Sequence, residues 1–214
     1  MTFARDSRQH APATERNRQP ILEVLDRVLP STGTVLEVAS GTGQHAVFFA
    51  PRLKPRRWLP SDPQPLLRDS IHAWQNHAPA DNLCPPLALD VQADSWPVEG
   101  SASPPELAQF PITAVVAINL IHISPWSACE GLMAGCDRIL PPGGILYLYG
   151  PYKMGGQNTA PSNESFDRYL QSSDPRWGVR DLDDVVKLAN SHHLKLLETV
   201  AMPANNFSVV FERF

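Results

Sequence analysis

The sequence predicts an α/β fold: a doubly wound, mostly parallel sheet of seven strands that ends in a C-terminal antiparallel hairpin. Short apolar runs alternate with segments of helical periodicity along most of the chain, which is the order of βαβ units. The runs are almost continuously apolar, as expected for strands that helices cover on both faces. The last two runs are joined only by "PANN", a hairpin-length connection that requires antiparallel strands.

The individual elements follow from spacing and from turn residues. In "QPILEVLDRVLP", Ile21, Leu25 and Val28 recur at helical spacing, with Asn17 as a possible cap and Pro20 in the first turn. The run "TVLEV" then leads through a glycine turn and a helix to "RWLPS", and this crossover predicts a parallel pair. Later helices are predicted at about 64–77, 125–140 and 182–192. The predicted strands are 34–38, 57–61, 86–91, 112–120, 143–150, 194–202 and 206–214.

Length and composition predict a single domain over 1–214. The 214 residues are 43% hydrophobic, which is enough for one sizeable core. No stretch approaches the roughly 20 apolar residues of a membrane span, and the polar start lacks a signal-peptide core, so we expect a cytoplasmic protein without membrane contact. The net charge of -4 argues against nucleic acid as a partner, although an acidic enzyme can still carry a local basic groove. The oligomeric state is not indicated.

Two segments lie outside the regular alternation. Residues 1–19 are predicted to form an N-terminal arm ahead of the first helix. Residues 151–180 form the longest stretch interpreted as irregular, and they follow the carboxyl end of a central strand, where ligands bind in such sheets. We therefore predict a lid or substrate loop there, with a plain surface excursion as the alternative. The three cysteines are an odd number without a C-x-x-C pair, which argues against a disulfide framework and a metal site.

The stretch "VLEVASGTGQHA", residues 35–46, carries the strongest ligand signal. Gly41, Gly43 and Ala46 fit the pattern G-x-G-x-x-A, so an NAD(P)-dependent reductase has to be considered. The acidic Glu37 just before the loop would be a poor neighbour for a pyrophosphate. It suits a cationic ligand such as S-adenosylmethionine, which carries a sulfonium and an ammonium group and no phosphate.

These residues resemble the first motif of the class I methyltransferases, acidic-x-Gly-x-Gly-x-Gly. The match begins at Glu37 and ends at Gly43, with Ala39 at the first glycine place, a difference of one methyl group. Nearly the whole chain is similar to the methyltransferase-like 26 family, or domain of unknown function 938. The resemblance implies a Rossmann-like fold and S-adenosylmethionine as cofactor, but no established substrate. It rests on stretches such as "ERNRQPILEVL", "SDPQPLLRDSIHAW", "INLIHISPWSACEGL" and "TAPSNESFD".

Two further carboxylates stand where that fold would use them. Asp62 follows the second predicted strand and can accept both ribose hydroxyls, although a nicotinamide cofactor would use the same residue. Asp90 ends the third predicted strand, where the resemblance implies a contact with the adenine amino group. Asn17 and Arg18 are candidates for holding the cofactor's carboxylate. The predicted cofactor-binding residues are Glu37, Ala39, Ser40, Gly41, Gly43, Asp62, Asp90, Val91 and Asn119.

The methyl acceptor is expected beyond the fourth and fifth predicted strands, and we expect a small molecule. His122 is the candidate general base because its unperturbed pKa is near neutrality, with a loop-stabilising histidine as the alternative. Tyr152 is the candidate for lining the acceptor pocket, against a packing role. Asn205 and Asn206 favour a turn for backbone reasons but could also contact substrate. A regulatory protein that binds the cofactor without turnover is a further alternative.

Overall fold

The structure is a computed structural model that describes residues 6–214. It contains two sheets with helices on both faces of the larger one. The helices are α1 (Pro12–Val28), α2 (Gln44–Phe49), α3 (Pro65–His77), α4 (Trp126–Ile139), α5 (Pro161–Ser173) and α6 (Leu182–Ser191). The strands are β1 (Thr34–Val38), β2 (Arg57–Pro60), β3 (Ile112–Ile118), β4 (Ile145–Gly150), β5 (Tyr152–Met154), β6 (Gln157–Asn158), β7 (Arg180–Asp181), β8 (Leu194–Met202) and β9 (Asn206–Arg213).

The larger sheet has the order β2-β1-β3-β4-β9-β8. Strands β2, β1, β3 and β4 run parallel, whereas β9 is antiparallel to both β4 and β8. The predicted α/β class, the mostly parallel sheet and the C-terminal hairpin are therefore confirmed. The chain adds β2 on one side of β1 and β3 on the other, so the strand order switches between β1 and β3. A crevice for ligands is therefore expected at the carboxyl ends of these two strands.

Within residues 6–214 the larger sheet has six strands and not the seven predicted, because the strand predicted at 86–91 does not form. The segment runs beside the end of β2 and forms one isolated parallel bridge there, between Leu87 and Ser61, the residue that follows β2. Leu87 N–H donates to the Pro60 carbonyl, and Asp62 N–H donates to the Leu87 carbonyl. Each of these hydrogen bonds is 3.0 Å long. Pro85 and Pro86 have no N–H to continue a ladder, which explains the interruption.

Two segments predicted to be irregular contain helices. Helix α1 begins at Pro12, so Asn17 lies inside it and not at its cap, and the arm predicted over 1–19 is helical in its second half. Residues 1–5 of that arm lie outside the described residues. Segment 151–180 holds α5 together with all of β5 and β6, which pair in the small sheet β6-β5-β7. Asp167 and Leu170 are buried on one face of α5, which accounts for its formation.

The core has two layers, one on each face of the large sheet. Helices α1 and α2 cover one face, where Ile21 and Phe49 pack against β-strand side chains such as Val35. Helices α4 and α6 cover the other, with Leu132 and Val185 fully buried. All three cysteines are free thiols. Among residues 6–214, the helices are too short or too polar to span a membrane.

Candidate active site

The loop after β1 depends on backbone conformations that glycine favours. Gly41 and Gly43 have φ of 56° and 87°, and Ala39, at the first glycine place of the motif, also has a positive φ of 51°. A Cβ at Gly43 would come within 2.8 Å of the Ile71 Cα, so this glycine permits α3 to approach the loop. A Cβ at Gly41 would meet no atom within 4 Å. Gly43 therefore serves packing, whereas Gly41 leaves open space.

Backbone hydrogen bonds join this loop to the end of β2. Ser40 N–H donates to the Ser61 carbonyl over 2.8 Å, and Gly41 N–H donates to Asp62 Oδ2 over 3.0 Å. The other carboxylate oxygen of Asp62 accepts from Gln64 N–H over 2.9 Å. Burial raises the pKa of Asp62, and these two backbone donors oppose that rise. The predicted glycine loop is thus in direct contact with Asp62, the residue predicted to bind the ribose.

Glu37 lies beneath the loop and does not line a cavity. Its side chain is 1% exposed, and its Oε2 accepts a hydrogen bond of 2.8 Å from the Trp58 indole nitrogen. Burial raises the pKa of Glu37 to about 7, against the lowering effect of hydrogen bonds from Trp58 and Ser40. The carboxyl group expected to face a cationic ligand therefore lies inside the protein, below the ligand crevice, and its raised pKa favours the protonated form below about pH 7.

The crevice at the switch point contains a cavity of about 320 Å³, which we call the Asp62 cavity. Two of its lining residues, Asp62 and Asp90, are acidic, and among the described residues no Lys or Arg lines it. Asp90 is exposed and accepts a hydrogen bond from Gln92 N–H over 2.9 Å. Other residues that line the cavity include Ala39, Gly41, Leu67, Val91, Leu120 and Ile123.

A second cavity of about 680 Å³, the His122 cavity, lies beside the first. The two share Ile123, and Asn119, which lines the second, stands between Ile118 and Leu120, which line the first. The His122 cavity is formed by five parts of the chain: α1, the segment after β3, the end of β4 with the residue that follows it, α5 and the tip of the β8–β9 hairpin. They contribute Arg16, Asn17, Asn119, His122, Tyr149, Asn163, Phe166, Asn205 and Asn206.

His122 is buried, with one ring nitrogen close to β4. A Cβ at Gly150 would come within 2.8 Å of its Nδ1, so glycine there leaves room for the ring. Nδ1 has no hydrogen-bond partner among residues 6–214. Burial, with a smaller contribution from the Arg180 charge, lowers the pKa of His122 to about 3. Arg180 also donates hydrogen bonds to the carbonyls of Ile121 and Ser124, which fix the loop that carries the histidine.

The structure places the predicted site residues in the two cavities, in and under the glycine loop, and in the core. Ala39, Gly41, Asp62, Asp90 and Val91 line the Asp62 cavity, whereas Asn119 and His122 line its neighbour. Ser40, Gly43 and Glu37 support the loop from below or from its side. Tyr152 is 1% exposed in the hydrophobic core and lines neither cavity. Arg18 pairs with Glu15 and stacks on Phe48, while Asn17 lines the His122 cavity.

The residues of the His122 cavity that were missed from the sequence include Arg16, Asn163 and Phe166. Asn163 donates to the Asn205 carbonyl over 2.9 Å and so connects α5 to the hairpin tip. On the buried face of α5 only Phe166 and Leu170 are apolar, and their spacing of four residues is the one helical signal that the sequence offers there. In the part of the chain described, no cluster of His, Cys, Asp or Glu could hold a metal ion.

Comparison with known proteins gives one family and a common fold. Residues 8–213 match the family described as "Protein of unknown function (DUF938)". Among solved structures, the S-adenosylmethionine-dependent methyltransferase SibL is 17% identical with a TM-score of 0.72, covering 94% of this chain and 55% of its own. An O-methyltransferase family 2 protein from Planctomyces limnophilus, complexed with apigenin, is 16% identical with a TM-score of 0.72. The match covers 92% of this chain and 61% of that protein. CalO1, a methyltransferase in calicheamicin biosynthesis with S-adenosylhomocysteine bound, is 15% identical with a TM-score of 0.67. The match covers 92% of this chain and 54% of CalO1.

These similarities establish a shared Rossmann-like fold. The chain spans only about half to three fifths of the length of these neighbours.

Proposed function

The chain belongs to the DUF938 family, and we propose that it binds S-adenosylmethionine and transfers the methyl group to a small molecule. The observation that carries this proposal is the charge of the Asp62 cavity. Two carboxylates and, within residues 6–214, no cationic side chain line it. A pyrophosphate would gain no ion pair there, whereas the adenosyl group and the sulfonium of S-adenosylmethionine carry no negative charge.

The hydrogen bonding of Asp62 fits a ribose. Each carboxylate oxygen offers about two acceptor positions, and one on each is taken by the N–H of Gly41 or Gln64. One position on each oxygen is left for a hydroxyl donor. Arg68 donates to the Asp62 and Pro63 carbonyls and forms no hydrogen bond with the Asp62 carboxylate, although its charge helps to lower the pKa of that carboxyl. The two backbone hydrogen bonds thus fix the Asp62 carboxylate and leave acceptor positions for the two ribose hydroxyls.

The adjoining His122 cavity is the proposed acceptor site. Because Ile123 lines both cavities, a ligand that fills the first can present a group to the second. When bound, S-adenosylmethionine supplies an electrophilic methyl group. Asn17 and Asn119 can hold polar groups next to that point, and Phe166 provides an apolar surface for an acceptor. The apigenin complex of the P. limnophilus protein and the S-adenosylhomocysteine complex of CalO1 support a small acceptor and this cofactor class.

The proposed chemistry relies mainly on positioning. A displacement needs the acceptor atom in line with the bond that breaks, and the chain can orient it between α1, α5 and the hairpin tip. Because its pKa is about 3, His122 keeps a neutral ring at physiological pH. It can form a hydrogen bond with the acceptor, but it is a weak general base. Tyr152 has no role in the proposal because it is enclosed in the core.

Isothermal titration calorimetry with S-adenosylhomocysteine and NADH tests the cofactor. We expect S-adenosylhomocysteine to bind and NADH not to bind. Asp62→Ala should weaken binding at least about tenfold through the loss of hydrogen bonds to a charged acceptor. Asp69→Ala, an exposed carboxylate on α3, is the matched control and should bind normally. Binding of NADH alone would refute the proposal and favour the reductase. Cofactor binding without turnover on any acceptor would favour the regulatory alternative.

A further inference from the structure

The His122 cavity has an unusual charge balance. Arg16 is the only charged side chain among the described residues that line it, and no Asp or Glu of residues 6–214 does so. Arg16 has no ion pair or side-chain hydrogen bond within that part of the chain, whereas the neighbouring Arg18 is paired with Glu15. An ammonium acceptor would therefore find no counter-charge in this cavity, and an anionic acceptor would find one.

Among residues 6–214, no group in the cavity could take a proton from an alcohol or a phenol. His122 is the only imidazole that these residues place there, and both its burial and the nearby Arg180 oppose its protonation. Tyr149 is a neutral phenol whose pKa is raised by burial. The remaining polar groups are amides and a hydroxyl, contributed by Asn17, Asn119, Asn163, Asn205, Asn206 and Ser162. A nucleophile that is already deprotonated at neutral pH needs none of these groups as a base.

We propose that the methyl acceptor is the carboxylate of a small apolar acid, guided into the His122 cavity by Arg16 and packed against Phe166. This inference rests on the proposed function, because it assigns the acceptor of the same reaction. A carboxylate oxygen forms the new bond to the methyl carbon while the bond from that carbon to sulfur breaks and its electron pair stays on sulfur. The products are a methyl ester and S-adenosylhomocysteine. The carboxylate and sulfonium charges cancel, and no proton has to be removed.

The test compares three probes that share one ring system: 2-naphthoate, 2-naphthol and 2-naphthylmethylamine. Each is titrated calorimetrically into protein saturated with S-adenosylhomocysteine. We expect 2-naphthoate to bind at least about tenfold more tightly than the other two, which is the difference that a charge-assisted contact typically makes. Equal affinities, undetectable binding of 2-naphthoate, or a preference for the phenol or the amine would overturn the acceptor assignment.

Two arginine variants locate the contact. Arg16→Ala should weaken 2-naphthoate binding at least about tenfold and leave the affinity for S-adenosylhomocysteine unchanged. Arg27→Ala, on the same helix but paired with Glu198 and outside both cavities, is the control and should change neither. If Arg16→Ala weakens S-adenosylhomocysteine instead, the arginine belongs to the cofactor and the inference is wrong. If the unmodified protein does not bind S-adenosylhomocysteine, the proposed function itself fails, so the two failures are distinguishable.

Discussion

The Trp58 indole nitrogen donates a hydrogen bond of 2.8 Å to the Glu37 carboxylate, and both side chains are buried against the α1 and α2 face of the sheet. Burial raises the pKa of this carboxyl to about 7 from its usual 4.5. The folded state therefore binds the proton more tightly than the unfolded state. The resulting stability is fully present below about pH 4.5 and is lost as the pH rises through about 7.

Glu37→Gln should remove this pH dependence, because the amide cannot ionise and its oxygen can still accept from Trp58. From pH 5 to pH 8 the free energy of unfolding of the variant should rise relative to the unmodified protein by up to roughly 3 kcal/mol. Urea unfolding without ligand at several pH values measures the difference. Parallel pH profiles for the two proteins would show that Glu37 is ionised normally in the fold.

The two glycines of the loop should respond differently to alanine. Gly43→Ala adds both a positive-φ penalty and a contact of 2.8 Å with the Ile71 Cα, whereas Gly41→Ala adds only the first. We expect Gly41→Ala to cost about 1–2 kcal/mol and Gly43→Ala to cost at least about 1 kcal/mol more. Denaturant unfolding of the two variants side by side measures this. Equal losses would mean that α3 yields freely at Ile71.

Ala39→Gly restores the glycine of the class I motif at a position with φ of 51°. Relief of the left-handed strain, roughly 1–2 kcal/mol, exceeds the greater entropy of an unfolded glycine, about 0.5–1 kcal/mol. We therefore expect a gain of up to about 1 kcal/mol in a urea titration. A loss of more than that amount would show that the methyl group packs productively in the loop.

The Lys153–Asp167 ion pair, with 2.6 Å between Nζ and Oδ2, attaches α5 to the small sheet. Asp167 also accepts a hydrogen bond from Val179 N–H, so Asp167→Asn should cost about 1–3 kcal/mol of stability. The variant should weaken 2-naphthoate binding but not S-adenosylhomocysteine binding, because α5 lines only the His122 cavity.

The matched control for Asp167→Asn is Glu164→Gln on the same helix. Its partner Arg168 is 3.9 Å away and exposed, so this change should stay within about 0.5 kcal/mol. Comparable losses in the two variants would show that the buried pair does not anchor α5.

The sequence was most informative where local chemistry determines the backbone. The glycine loop between β1 and α2 was predictable because Gly41 and Gly43 adopt conformations that other residues resist. The parallel strands were predictable because apolar runs alternate with helices. One predicted strand is absent because Pro85 and Pro86 have no N–H to donate to a neighbouring strand. The two prolines are visible in the sequence, but the apolar run "LAL" favoured the interpretation as a strand.

The acceptor side was less predictable because it depends on distant segments. Helix α5 is mostly polar, and only Asp167, Leu170 and a few neighbours reveal its buried face. The approach of Asn163 to Asn205 joins residues 42 positions apart, which no local pattern specifies. Arg16 could be identified only after α1 was seen to begin at Pro12 and to run past the cavity.

A crystal structure of the protein with S-adenosylhomocysteine would test the proposed cofactor site. We expect the ribose hydroxyls on Asp62, the adenine beside Asp90, and the sulfur directed past Ile123 into the His122 cavity. An adenosine bound elsewhere, or a sulfur that faces away from His122 and Asn119, would contradict it.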